Sequence, residues 1–187
     1  SFWSGLTINE SFELEKECLT LLHSNFECIC GNGCTHFPKI ISCEASPAYE
    51  LLHMESDVSV DALRYPPVEG MPLIILSDCG YSLNEYDLLL KTKKIKSIKL
   101  ENIEKQIDCI IHNLEKSKIK HLDMCPTGKN ICVNIKGIIS IIDFDITSID
   151  DNYNSEKIKI LANKYGNDNY YKELKIALMK IIQSYFK

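Results

Sequence analysis

Apolar and polar positions alternate along the chain with a period that changes from segment to segment. From Asn9 to His23, NESFELEKECLTLLH carries Phe12, Glu15, Leu19 and Leu22 at helical spacing. Acidic residues come early, where the positive end of a helix favours them. The spacing predicts an amphipathic helix. Gly31-Asn32-Gly33 then interrupts the chain, and Lys39 to Cys43 and Leu73 to Leu76 are short apolar runs suited to buried strands. The segment between them, Glu44 to Gly70, holds Pro47, Pro66, Pro67 and several acids, the composition of a loop or hairpin excursion. Cys79-Gly80 closes the second strand, and Ser82 stands where it can cap a short helix running through Leu90.

The second half is more regular. Ile103, Ile107, Ile110, Ile111 and Leu114 make one stripe, which predicts a long helix from Ile103 to about Ser117. NICVNI and IISIID are compact strand patterns joined by a tight Lys136-Gly137 turn. From Ser155 to Lys187 the apolar positions Ile158, Ile160, Leu161, Leu174, Ile176, Leu178, Ile181 and Ile182 predict one or two helices. The expected class is α+β, as one domain or as two small lobes sharing an interface.

Composition agrees with an ordinary globular chain: 187 residues, 45% hydrophobic and 25% charged. It excludes collagen, disorder and a disulfide miniprotein. No apolar run nears the ~20 residues that cross a bilayer, and SFWSGLTINE lacks the basic flank and long apolar segment of a secretory signal. The expectation is a soluble, cytoplasmic protein without a membrane partner. A net charge of -5 gives no general attraction to nucleic acid, although Lys91, Lys93, Lys94, Lys96 and Lys99 form a local basic stretch.

Nine cysteines is a high count, and its being odd argues against a complete disulfide framework. Cys28, Cys30 and Cys34 with His36 have the ligand types of a closed zinc site, but their C-x-C-x3-C-x-H spacing matches no common zinc knuckle. Free or buried thiols in a reducing compartment are the simpler reading. Cys109 and Cys132 lie in apolar stretches where a small hydrophobe suffices.

Chemistry concentrates between His121 and Asp145. Asp123 lies on a loop after the long helix; Asn130 enters the hairpin and Asp143-Phe144-Asp145 leaves it. A hairpin folds back on itself, so Asn130 and Asp143 can meet side by side. Two oxygen ligands at one point suit Mg²⁺, which fills its remaining positions with phosphate and water. Asp123 beside them can accept a hydroxyl proton as that hydroxyl attacks a phosphate.

These residues resemble the protein-kinase-like superfamily, which includes aminoglycoside and choline kinases. HLDMCPTGKN is similar to the catalytic loop written H-R-D-L-K-P-x-N in many protein kinases. The resemblance makes Asp123 the catalytic base, Asn130 a metal ligand, and Asp143 of IIDFD the second metal ligand. FELEKECLTLL resembles the helix whose glutamate, here Glu15, pairs with the nucleotide-binding lysine, and HFPKII resembles the strand entry after it. PLIILSDCGYSL resembles the last N-lobe strand and the hinge, with Leu76 as gatekeeper and Ser77, Asp78 and Cys79 presenting backbone groups to adenine. The helix with Gln106 resembles the long C-lobe helix before the catalytic loop. The likeness covers residues 12 to 146 and implies a bilobal fold, with 1–76 as a reduced N-lobe and 77–187 as a small helical C-lobe.

Several positions depart from the pattern. Asn130 follows Asp123 by seven residues where the family has five, so Thr127-Gly128-Lys129 must bulge. Leu122 replaces the arginine that reads activation-loop phosphate. Cys125 stands at the catalytic-loop lysine; Lys129, on the bulge, can contact the transferred phosphate in its stead, or be a solvated surface lysine. Asp145 replaces the glycine of D-F-G, a pattern nearer the small-molecule kinases. SFWSGLTI supplies neither a glycine-rich phosphate cover nor a lysine. The implied function is an ATP- and Mg²⁺-dependent phosphotransferase acting on a protein Ser/Thr hydroxyl, its N-lobe completed by an upstream segment or a partner chain. The alternatives are a kinase for a small-molecule alcohol and a pseudokinase serving as a binding or allosteric module.

Overall fold

The computed structural model of the chain describes residues 6–31, 33, 35–45, 72–124, 126–152, 155–165 and 168–186. Helix α1 spans Ile8–Ser24 and is followed by strands β1, Ile40–Ala45, and β2, Pro72–Leu76. A short β3, Tyr81–Ser82, leads into α2, Leu83–Lys91, and then α3, Ile103–Lys116. Strands β4, Ile119–His121, β5, Ile131–Val133, β6, Ile139–Ile141, and β7, Thr147–Ile149, precede the helices α4, Glu156–Tyr165, and α5, Tyr170–Tyr185. The class is α+β. The sheets are small and antiparallel: β1 pairs with β2, β5 lies between β3 and β6, and β4 pairs with β7. No helix among the described residues is long and apolar enough to cross a membrane.

Helix α1 starts at a capping box. Thr7 Oγ1 accepts the Glu10 N–H, and the Thr7 N–H donates to Glu10 Oε2 at 2.7 Å, which satisfies two of the donors a helix start leaves open. Its buried stripe is Leu14, Cys18, Leu19 and Leu22. This corrects the phase expected from the sequence. Phe12 is only half-buried, with the Lys16 ammonium over its ring, and Glu15 stands at the edge of the stripe. Strand β1 runs on to Ala45, into the stretch expected to be a loop; the rest of that excursion, 46–71, lies outside the described residues.

Short range chemistry also explains the two strands that periodicity does not reveal at Ser82 and beyond. Gly80 takes φ 88° and passes so close to β5 that a Cβ would sit 2.4 Å from the Val133 carbonyl, which only glycine permits. That approach lets Tyr81 and Ser82 pair with Val133 and Cys132. Ser82 occupies the N-cap position of α2, yet its hydroxyl donates to Asn84 Oδ1 at 2.8 Å and makes no backbone cap. The expected Ser82 cap is therefore a cap by position and backbone only. Leu122 N–H donates to Ile146 O at 2.9 Å, continuing the β4–β7 ladder toward the loop that carries Asp123.

One buried cluster runs from Leu14 and Leu19 of α1 through Ile107 and Ile110 of α3 to Leu174 and Leu178 of α5. The β5–β6 hairpin is tied to α3 by a single buried amide. Gln106 Nε2 donates to Glu101 O and Gly137 O, and its Oε1 accepts the Ile139 N–H, each at 2.9 Å. Replacing Gln106 by Leu keeps the volume and strips the Gly137 carbonyl and Ile139 N–H of their partners. At about 1–3 kcal/mol for each stranded group, the expected loss of stability is roughly 2–6 kcal/mol. Urea unfolding of Q106L should show a lower midpoint; an unchanged midpoint would mean that the hairpin is held by packing alone.

Candidate active site around Asp123 and Asp143

Strand β4 ends on His121, and the loop that follows is built from the chemistry of that buried ring. His121 Nε2 donates to the Ile142 carbonyl at 3.0 Å, while its own carbonyl accepts the Tyr170 hydroxyl at 2.7 Å. Phe144 packs edge-on against the imidazole at 5.0 Å and against Phe37 at 6.1 Å. Burial holds the His121 pKa below its ordinary value, so the ring is neutral at pH 7. Two residues on, Asp123 emerges partly exposed. Its Oδ2 accepts Lys129 Nζ at 3.0 Å and Asn130 Nδ2 at 3.2 Å, and its carbonyl accepts the same Asn130 amide at 2.7 Å.

The expected bulge is present and anchored at both sides. Gly128, at φ 69°, lies against Leu83 at the start of α2, and its carbonyl accepts the N–H groups of Leu83 and Ile131. The Tyr185 hydroxyl of α5 donates to Thr127 O at 2.7 Å. Cys125 lies outside the described residues. The bulge thus delivers Lys129 to Asp123 and lets Asn130, 2% exposed, turn inward.

Asn130 is paired across the hairpin with the residue before Asp143: the Ile142 N–H donates to the Asn130 carbonyl at 3.1 Å. Asp143 adopts φ 67°, a left-handed conformation that costs a side-chain-bearing residue about 1–2 kcal/mol and that Asp tolerates better than most. Three carboxylates then crowd together. Glu15 is pushed up by burial and by the charge of Asp143, with the Phe144 N–H opposing. Asp145 is pushed up to about 7, first by burial and then by the charge of Asp143 and a hydrogen bond between the two side chains. Among the described residues no ion pair joins Glu15, Asp143 or Asp145 to a cation.

The structure therefore brings Asp123, Lys129, Asn130 and Asp143 into one site and adds Glu15 from α1. Leu76, Ser77, Asp78 and Cys79 lie apart from them. Leu76 ends β2 and packs on the core; the Ser77 N–H is taken by Lys39 O at 2.8 Å, and Asp78 Oδ1 accepts the Gly80 N–H. Burial raises the Cys79 thiol, with the Ser140 hydroxyl opposing, so this segment touches β6 three residues before Asp143.

A cavity of about 940 Å³ opens on the other side of Asp123. Asp123, Lys129, Asp143 and Asp145 line one end; Lys157 and Leu161 of α4 and Glu173 and Leu174 of α5 wall it. Lys157 and Glu173 were not legible as site residues, since a charged position on an amphipathic helix carries no signal of what it faces. Compared with known proteins, the chain matches no protein-family model and no curated protein.

Asp145 holds its proton more tightly in the folded chain than in the unfolded one, where its pKa returns to the ordinary 3.8. A raised carboxyl pKa gives stability that is complete below the unfolded value and is lost as pH climbs through the folded value. In metal-free buffer, stability should fall between about pH 4 and about pH 7, and Asp145→Asn should flatten that fall. Denaturation midpoints across this range decide it; an unchanged slope in D145N would remove Asp145 as the cause.

Proposed function

We propose that the chain is an ATP- and Mg²⁺-dependent phosphotransferase of the protein-kinase-like type, acting on an alcohol group in the cytoplasm. One observation carries the reading: a single Asp123 oxygen is held by both Lys129 and Asn130, and Asp143, one residue past the backbone partner of Asn130, lines the same cavity as Asp123. The order of elements supports it: long helix, short strand, Asp-bearing loop, hairpin, Asp143, and a strand pairing back on the first. The bilobal arrangement, with 1–76 and 77–187 as the two lobes, belongs to the same proposal.

The donors present fit a magnesium ion. Asn130 commits its amide N–H to Asp123, which leaves its Oδ1 on the other arm, and Asp143 supplies a carboxylate. Hard oxygen donors are what Mg²⁺ takes, and the crowding that raises Glu15 and Asp145 is a charge excess that a divalent cation offsets. Bound there by Asn130 and Asp143, the metal would neutralise phosphate charge. Asp123 does the proton work. Lys129 and Asn130 pin Oδ2 and fix the carboxylate plane, so Oδ1 is the oxygen that accepts the proton of an attacking hydroxyl. Lys129 adds positive charge where the transferred phosphoryl group develops negative charge. Glu15, beside Asp143, is the group that a lysine from an upstream segment or partner chain would pair with.

The acceptor hydroxyl enters from the cavity, and a protein Ser/Thr side chain is the first candidate. The walled shape given by α4 and α5 favours a second reading, a small-molecule alcohol held whole. Asp123→Asn should lower turnover about 10²–10⁴-fold while ATP with Mg²⁺ still raises the melting temperature. Asp143→Ala should lose both. Label transfer from ATP to protein or to small alcohols separates the two acceptors. Wild-type turnover in D123N would sink the phosphotransferase reading, and a wild-type chain that ATP and Mg²⁺ do not stabilise would replace it with the pseudokinase.

A further inference from the structure

The structure places a second cluster of ligands well away from the acidic one. Cys28 and Cys30 lie on the segment after α1, and Cys109 comes from the buried face of α3. Their three sulfurs all fall within 4.8 Å of one another, and Cys28 Sγ is 3.7 Å from Cys30 Sγ. Four ligands at Zn–S ≈ 2.3 Å in a tetrahedron put sulfurs about 3.8 Å apart. His36 Nε2 lies 3.4 Å from Cys30 Sγ.

We infer that Cys28, Cys30 and Cys109 form a zinc site, with His36 packed against Cys30 at its margin.

His36 is fully buried beside this cluster, and its Nδ1 donates to the Ile139 carbonyl at 2.7 Å. A carbonyl can only accept, so the proton sits on Nδ1 and Nε2 presents its lone pair to Cys30 Sγ. The three sulfurs that meet are the ligands the geometry supports, and His36 sets the position of Cys30 among them.

The loop is shaped to receive sulfur charge. Gly31 and Gly33 both take positive φ, 78° and 62°, and the turn aims backbone N–H groups of Cys30, Gly31 and Gly33 at Cys28. Those of Ile29 and Cys30 point at Cys109. Asn113 sets the register: its Oδ1 accepts the Glu27 N–H at 2.8 Å and its Nδ2 donates to Glu27 O at 2.9 Å, which lays Cys28 over α3.

The sequence pattern alone pointed to Cys34 as third sulfur, and Cys34 lies outside the described residues. A spacing search could not find Cys109, since it is 79 residues beyond Cys30 and is brought in only by α3. Thiolates select zinc over magnesium, so this site and the acidic one take different ions. Zinc here would staple the end of α1 to α3.

Full-length protein purified with reductant and without chelator should carry one equivalent of zinc by elemental analysis. X-ray absorption at the zinc edge should read three or more sulfur neighbours; fewer than three would overturn the assignment. Cobalt exchange should give a thiolate charge-transfer band that Cys109→Ser weakens by about one third. Zinc affinity in C109S should fall by more than the about 10–100-fold that an outer-shell partner costs. Cys43→Ser, at an exposed position on β1, should change neither. Should C109S not fold, Cys28→Ser alters an exposed residue and serves in its place. Reduced wild-type protein that binds neither zinc nor cobalt overturns the inference, as does a C109S or C28S variant with the wild-type band. None of these readouts depends on phosphotransfer.

Discussion

The buried ring of His121 is the contact on which the rest of the site depends. Its Nε2 holds the Ile142 carbonyl, one residue before Asp143, and its own backbone stands two residues before Asp123. The Tyr170 hydroxyl secures the His121 carbonyl from α5, and Phe144 closes the ring from the side. One neutral imidazole therefore fixes the spacing between two acidic residues that follow different strands. The ring stays neutral because burial outweighs the pull of the nearby Asp143 and Asp123 carboxylates. The Nδ1 atom has no hydrogen-bond partner in the structure, and that cost is borne by the packing of Phe144 and the two polar contacts.

From that anchor follows an electrostatic arrangement that the fold does not balance by itself. Asp143 is held in a left-handed backbone conformation and faces both Glu15 and Asp145, so each carboxylate raises the proton affinity of its neighbours. Lys129 neutralises Asp123 but not this group. Strained backbone combined with like charges at one place is costly for stability alone and fits a site that works when a cation and phosphates are bound. The surface ion pairs elsewhere, such as Lys91 with Asp87, are exposed and of little energetic weight.

The helices supply the walls and the clamps. Buried amides, and not only apolar faces, set how elements meet: Gln106 grips the hairpin, and Asn113 grips the segment after α1. Each has every one of its polar groups matched to backbone partners, which gives a packing with one register where apolar contact would allow several. Through these two residues α3 aligns the hairpin that carries Asn130 and Asp143 with the loop that carries Cys28 and Cys30.

The local periods were legible and the meetings between distant segments were not. The helices near Asn9–His23 and Ile103–Ser117 and the hairpin around Lys136-Gly137 follow from spacings of three to four or of two residues, which neighbouring side chains set among themselves. Asp123, Asn130 and Asp143 are close in sequence and share one loop and one hairpin, so their association could be read directly. The phase of α1 was missed because Cys18, bonded to Thr147 Oγ1 at 3.0 Å, and Leu14 outcompete Phe12 for the core. Strands β3, β4 and β7 have two or three residues each, too few for any period to register, and exist through their partners. Sequence by itself determined the element types, the α+β class and the local acidic constellation. Tertiary structure alone decided that Glu15 faces Asp143, that Cys109 joins Cys28 and Cys30, and that α4 and α5 wall a cavity. Those pairings close long loops, and the free energy that closes them comes from burying faces together, which no short-range pattern encodes.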